Sequence, residues 1–95
     1  MKVLLIEDEA KISSYVTKAL TRAKHTVTAI ADGQAGLIAA TSDPFDAIIL
    51  DLGLPGRDGL DILRAVRERS ISTPVLILTA RGDVKDRVEI GRAHV

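Results

Sequence analysis

Ala47-Ile48-Ile49-Leu50-Asp51-Leu52-Gly53-Leu54-Pro55 decides the fold of this chain. Its apolar residues, bounded by turn signals, are too few for a helix and read as a fully buried strand. Asp51 then closes that strand, and Gly53 and Pro55 break the chain into a turn. In an open parallel sheet the carboxyl ends of the strands face the crevice where ligands bind, so Asp51 is the first candidate for chemistry.

Working outward, Lys2 to Ile6 is a second apolar run that stops abruptly at Glu7-Asp8-Glu9. From Ala10, the positions Ile12, Tyr15, Val16, Ala19, Leu20 and Ala23 follow the three-four spacing of one helical stripe, and the acids before them suit a positive helix start. Thr26 to Ala31 reads as a strand. Asp32 is placed to cap an alanine-rich helix from Gln34 to Thr41, with Leu37 and Ile38 as its larger contacts. Beyond the Gly- and Pro-rich loop from Gly53, the residues Gly59, Ile62, Leu63 and Val66 mark a third helix. Its charged group Arg57, Arg64, Arg67 and Arg69 reads as a solvated face. Thr73-Pro74 introduces a fourth strand, Val75 to Leu78, followed by Thr79-Ala80 and a short helical beginning over Val84 to Glu89. Strand alternating with helix predicts an α/β fold, a doubly wound parallel sheet.

Composition narrows the classes of function. Ninety-five residues with 46% apolar content fit one globular domain. Thirteen basic and thirteen acidic side chains cancel, so no net field draws the chain to nucleic acid or to an anionic membrane. The absence of cysteine excludes a disulfide framework and suits a cytoplasmic location. Val3 to Ile6 is too short to span a membrane. His25 and His94 read as solvent-facing loop residues, since neither has a partner at ligand spacing.

Polar groups of one character end the strands: Glu7 and Asp8 after the first, Asp51 after the third, Thr79 after the fourth. In a sheet with the first strand beside the third and the third beside the fourth, they converge. Carboxylates brought together raise one another's pKa unless a cation shares the site, which implies a hard divalent ion. Mg²⁺ suits one or two carboxylates with waters and phosphate oxygens, as Asp8, Asp51 and a carbonyl near Gly53 could supply. Such a carboxylate can act as a nucleophile toward a phosphoryl group.

The chain resembles the receiver domain of two-component response regulators. The matching residues are Ile6-Glu7-Asp8-Glu9, the stretch from Leu50 to Gly59, and Pro74-Val75-Leu76-Ile77-Leu78-Thr79-Ala80. The resemblance runs from Met1 to about Glu89 and is nearest the OmpR/PhoB-type branch, whose receiver precedes a winged-helix DNA-binding domain. It implies a flavodoxin-like, CheY-like strand order 2-1-3-4. It also implies that Asp51 accepts phosphate from a sensor histidine kinase, that Asp8 and Asp51 bind Mg²⁺ directly, Glu7 through water and Gly53 through its carbonyl. Thr79 would be the switch hydroxyl, and small Ala80 would leave the site accessible. The implied output is a covalently linked DNA-binding domain, with no direct nucleic-acid binding by this stretch and homodimerisation on phosphorylation left open.

The family text breaks after Glu89. Ile90-Gly91-Arg92-Ala93-His94-Val95 replaces the expected continuation, so residues 1–89 read as a receiver lacking its fifth strand, fifth helix and the family's lysine, and 90–95 as an atypical tail foreign to the native sequence. On this reading Val75 to Leu78 becomes an unprotected, association-prone edge and the chain is marginally stable. Two alternatives stay open: a receiver-like interaction module that is never phosphorylated, and a Mg²⁺-dependent aspartyl-phosphate phosphatase. Against the phosphatase, the position two residues after Asp51 is Gly53, which cannot transfer a proton. Against a nucleotide-binding domain, Glu7-Asp8-Glu9 stands where a phosphate cradle needs glycines.

Overall fold

The β-branched and leucine-rich runs form strands β1 (Lys2–Ile6), β2 (Thr26–Ile30), β3 (Ala47–Asp51) and β4 (Val75–Leu78). Helices α1 (Ala10–Arg22), α2 (Gly33–Ser42) and α3 (Gly59–Glu68) lie between them in sequence. The computed structural model describes residues 1–54 and 57–78, and the backbone of 88–91. The four strands pair in parallel, as the alternation of strand and helix predicts, and their order β2-β1-β3-β4 is the one that the resemblance implies. Asp51 stands opposite Leu78, and Leu50 opposite both Ile6 and Ile77, so the carboxyl ends of β1, β3 and β4 align.

A fifth strand, β5 (Val88–Gly91), runs antiparallel beside β4 with Val88 opposite Leu78 and Gly91 opposite Val75. This corrects two expectations. β4 is not an unprotected edge, and the basis for predicting association through it is removed. Val88 and Glu89, read as the end of a short helix, lie in a strand; residues 84–87 fall outside the described residues, as do 92–95 of the expected tail. The physical reason is that a segment this short cannot repay helix nucleation, whereas the open side of β4 offers a row of backbone partners.

Alternation along the strands sends side chains to two unequal cores. Leu4, Ile6, Ile48, Leu50, Val75 and Ile77 pack with Ala40 and Phe45 and with Ile62 and Val66 of α3. Val3, Leu5 and Ile49 form a smaller cluster, bordered by Val16 and Leu20 of α1. The expected apolar stripe of α1 is therefore only half used: Val16 and Leu20 pack, while Ile12 and Tyr15 are exposed, Tyr15 by 76%. Ile38 of α2 is likewise exposed and Leu37 carries the contact.

Helix ends follow local chemistry. Asp32 caps α2 by accepting from the Ala35 N–H at 2.9 Å, and Asp58 caps α3 toward the Leu60 N–H. After α1 and after α3 the chain turns through left-handed residues, Lys24 (φ 74°) and Ser70 (φ 61°), without a glycine at either place. Arg67 is no solvated charge: its guanidinium donates to the carbonyls of Ile71 and Thr73, both at 2.8 Å, and pins the segment leading into β4. His25 lies in the turn before β2, partly covered, with Nδ1 at 3.1 Å from the N-terminal amine in an exposed contact; His94 lies outside the described residues.

Candidate functional site

The acids gather where β1 and β3 end. Glu7 directly follows β1, and its N–H continues the ladder by donating to the Ile30 carbonyl at 3.0 Å. Only 5% of its surface is exposed, a rare environment for a glutamate. One carboxylate oxygen accepts from the Glu9 N–H at 2.9 Å, so the start of α1 satisfies part of that buried charge. Asp8, next in the chain, is exposed. Asp51 ends β3 half-buried, and the Leu52 N–H after it donates to the Leu78 carbonyl at 3.3 Å.

Carboxylate oxygens of Glu7, Asp8 and Asp51 all lie within 4.8 Å of one another, and among the described residues these three form the one such group. Burial raises the pKa of Glu7 above the ordinary carboxylate range; the bond from the Glu9 N–H opposes this, and the charges of Asp51, Asp8 and Glu9 add to it. Burial likewise raises Asp51, opposed by the backbone N–H groups of Gly53 and Leu52 and reinforced by Asp8. Three hard oxygen donors in a partly dry, mutually repelling cluster fit a small divalent cation. Metal–oxygen distances of about 2.0–2.6 Å would let one ion reach neighbouring members directly or through one water.

Of the remaining sequence candidates, Gly53 lies in the exposed loop two residues beyond Asp51, and Thr79 and Ala80 fall outside the described residues. The Glu9 amide was not among the candidates. Its signal was present, since acids placed just before a helix meet unpaired N–H groups. Arg57 also departs from the solvated-face reading: its Nε donates to Gln34 Oε1 at 3.1 Å, tying the loop after Asp51 to the first turn of α2. No helix among the described residues is long and apolar enough to cross a membrane.

A family model described as the response regulator receiver domain matches residues 3–95. The chain belongs to the response regulator receiver family. The receiver is 48% identical over 89 residues to the transcriptional activator protein IrlR of Burkholderia pseudomallei, covering 94% of this chain and 38% of that protein. It superposes on the chemotaxis response regulator CheY4 of Vibrio cholerae with a TM-score of 0.80 at 36% identity, covering 86% of this chain and 70% of that one. The response regulator TrrA of Thermotoga maritima, solved in complex with Mg(2+)-BeF, gives a TM-score of 0.80 at 25% identity, covering 85% of this chain and 70% of that one. The receiver spans less than half the length of the curated relatives it matches. Among those relatives are transcriptional regulators, the OmpR/PhoB-like group to which the sequence motifs point.

Proposed function

We propose that Asp51 is the phosphoacceptor of this receiver and that the chain works as a switch rather than as a turnover enzyme. The observation that carries this is the convergence of the Glu7, Asp8 and Asp51 carboxylates within 4.8 Å at the carboxyl end of the sheet. In the reaction an Asp51 carboxylate oxygen attacks the phosphorus of a sensor kinase's phosphohistidine. The P–N bond breaks, its electron pair returns to the imidazole nitrogen, and Asp51 is left as an aspartyl phosphate. Asp8 and Asp51 would hold Mg²⁺ directly, Glu7 through water, and Gly53 through its carbonyl. When bound, the ion supplies positive charge that offsets repulsion between the carboxylates and the incoming phosphoryl oxygens. The Glu9 N–H holds the carboxylate of the buried Glu7 in place.

Thr79 is proposed as the hydroxyl that responds to the phosphoryl group, with Ala80 leaving room for it. The output is proposed to be transcriptional, through a further domain of a longer cytoplasmic protein, because relatives such as IrlR are transcriptional activators more than twice as long as the matched stretch. That TrrA was solved with Mg(2+)-BeF supports a magnesium site of the same kind here.

The test is incubation with a small-molecule phosphodonor, with and without Mg²⁺, followed by intact-mass measurement. The expected result is one added phosphoryl group that requires Mg²⁺ and is absent from Asp51→Asn. Modification that persists in Asp51→Asn, or none in the wild type, overturns the assignment.

A further inference from the structure

Among the glycines near the acidic site, Gly59 stands apart. It opens α3 and is buried. A Cβ built on it would lie 2.5 Å from the main-chain oxygen of Asp51, 3.0 Å from Leu52 Cα and 3.3 Å from the Asp51 carbonyl carbon. All three are backbone atoms, which cannot rotate aside. At Gly36 of α2, by contrast, a Cβ would meet only side-chain atoms of Ile6, at 2.7, 2.7 and 3.0 Å.

Neither partner in the Gly59 contact is free to retreat. α3 is held by Ile62 and Val66, which are 0% and 1% exposed, and the Gly59 N–H reaches the Leu52 carbonyl at 3.4 Å. On the other side, Asp51 is registered against Leu78 and the Leu52 N–H bonds the Leu78 carbonyl. Glycine is the default residue where two main chains approach closely, and that is the need met in this first turn.

We propose that Gly59 is a positioning residue for the acidic site: lacking a Cβ, it lets the first turn of α3 rest on the Asp51 main chain and fixes that carboxylate relative to Glu7 and Asp8. The inference rests on the reading of this cluster as a cation and phosphoacceptor site. Relieving a contact at 2.5 Å requires a shift on the order of 0.5 Å, the tolerance within which a preorganised site must be held. Mg²⁺ demands near-ideal octahedral geometry, so it registers a displacement of that size.

The experiment follows amide NMR peaks during Mg²⁺ titration of the wild type, Gly59→Ala and Val66→Ala, the last loosening the same helix without touching Asp51. In Gly59→Ala the Leu52 and Gly53 peaks are displaced before any metal is added, and the Mg²⁺ dissociation constant rises at least about tenfold. In Val66→Ala it stays within about twofold of wild type. An unchanged constant in Gly59→Ala, or an equal loss in Val66→Ala, overturns the proposal. Should Gly59→Ala fail to fold, the wild type decides: the contact requires an Overhauser effect between the α-protons of Gly59 and Leu52, and a Gly59 amide that moves with Mg²⁺. Absence of either overturns it. A wild type that binds Mg²⁺ but takes no phosphoryl group sinks the phosphoacceptor reading alone, while one indifferent to Mg²⁺ sinks both.

Discussion

On one side of the sheet Leu4, Ile6, Ile48 and Leu50 are sealed under α2 and α3; on the other, Val3, Leu5 and Ile49 meet α1, a helix with no fully buried residue. The same strands feed both sides. The strand period carries Val3 and Leu5 on to Glu7, and Ile49 on to Asp51, so the acids continue the thinner side. Burial that would have strengthened this layer is given up where the chain needs charge, a division of labour expected of functional sites.

The largest effect that probes this comparison is a pair of truncations. Ile62→Ala on the sealed side is expected to cost about 3 kcal/mol, and Leu20→Ala on the α1 side about 1 kcal/mol, because a loosely packed site can collapse around the loss. Thermal midpoints read both, at roughly 4–8 °C per kcal/mol for a domain of this size. Equal costs would break the comparison.

Next in size is the effect of charge on the thin side. Glu7 and Asp51 titrate above their ordinary range, so the folded chain keeps protons that the unfolded chain has released. Their contribution to stability is complete below the unfolded values, about 4, and is lost as pH rises through the raised folded values. Metal-free protein should therefore become less stable across that window. Asp51→Asn should flatten the slope and raise stability near neutrality by about 0.5 kcal/mol, a figure kept small because solvent screens the half-exposed carboxylate. Denaturant titrations at several pH values, repeated with Mg²⁺, check this; a slope of opposite sign would contradict it.

The smallest effect sharpens the comparison at the helix ends. Ser70→Gly relieves a left-handed backbone after the firmly packed α3 and should add about 0.3 kcal/mol after glycine's own entropy is counted. Lys24→Gly should add less, since the loosely seated α1 can already relax. Urea midpoints distinguish the two.

Strands β1 to β4 and helix α3 were legible because period and turn chemistry agreed there, α2 was legible from its cap and its alanine-rich composition, and the strand order came from the resemblance to the receiver family. The acidic cluster was legible too, once the order of strands was known, because Glu7, Asp8 and Asp51 each sit at a strand end. α1 was legible as a helix but not as to which of its apolar residues would be covered. That depends on what packs against it, and its sequence carries no trace of this. β5 was hidden because Val88–Gly91 gains its structure from the open side of β4 rather than from its own residues. Gly59 was read as part of a helical face, since a missing Cβ has meaning only beside the backbone it would strike.

The strand order β2-β1-β3-β4-β5 also bears on how the chain can assemble while it is being made. β1 is synthesised first, and β2 then pairs along one flank of it. β3 joins the opposite flank, β4 lies outside β3, and β5 lies outside β4. Each arriving strand thus meets an edge already present, and none has to be threaded between two that are paired. The sheet can grow outward from its own amino-terminal strand in the sequence in which a ribosome releases it, and no completed pairing need be undone.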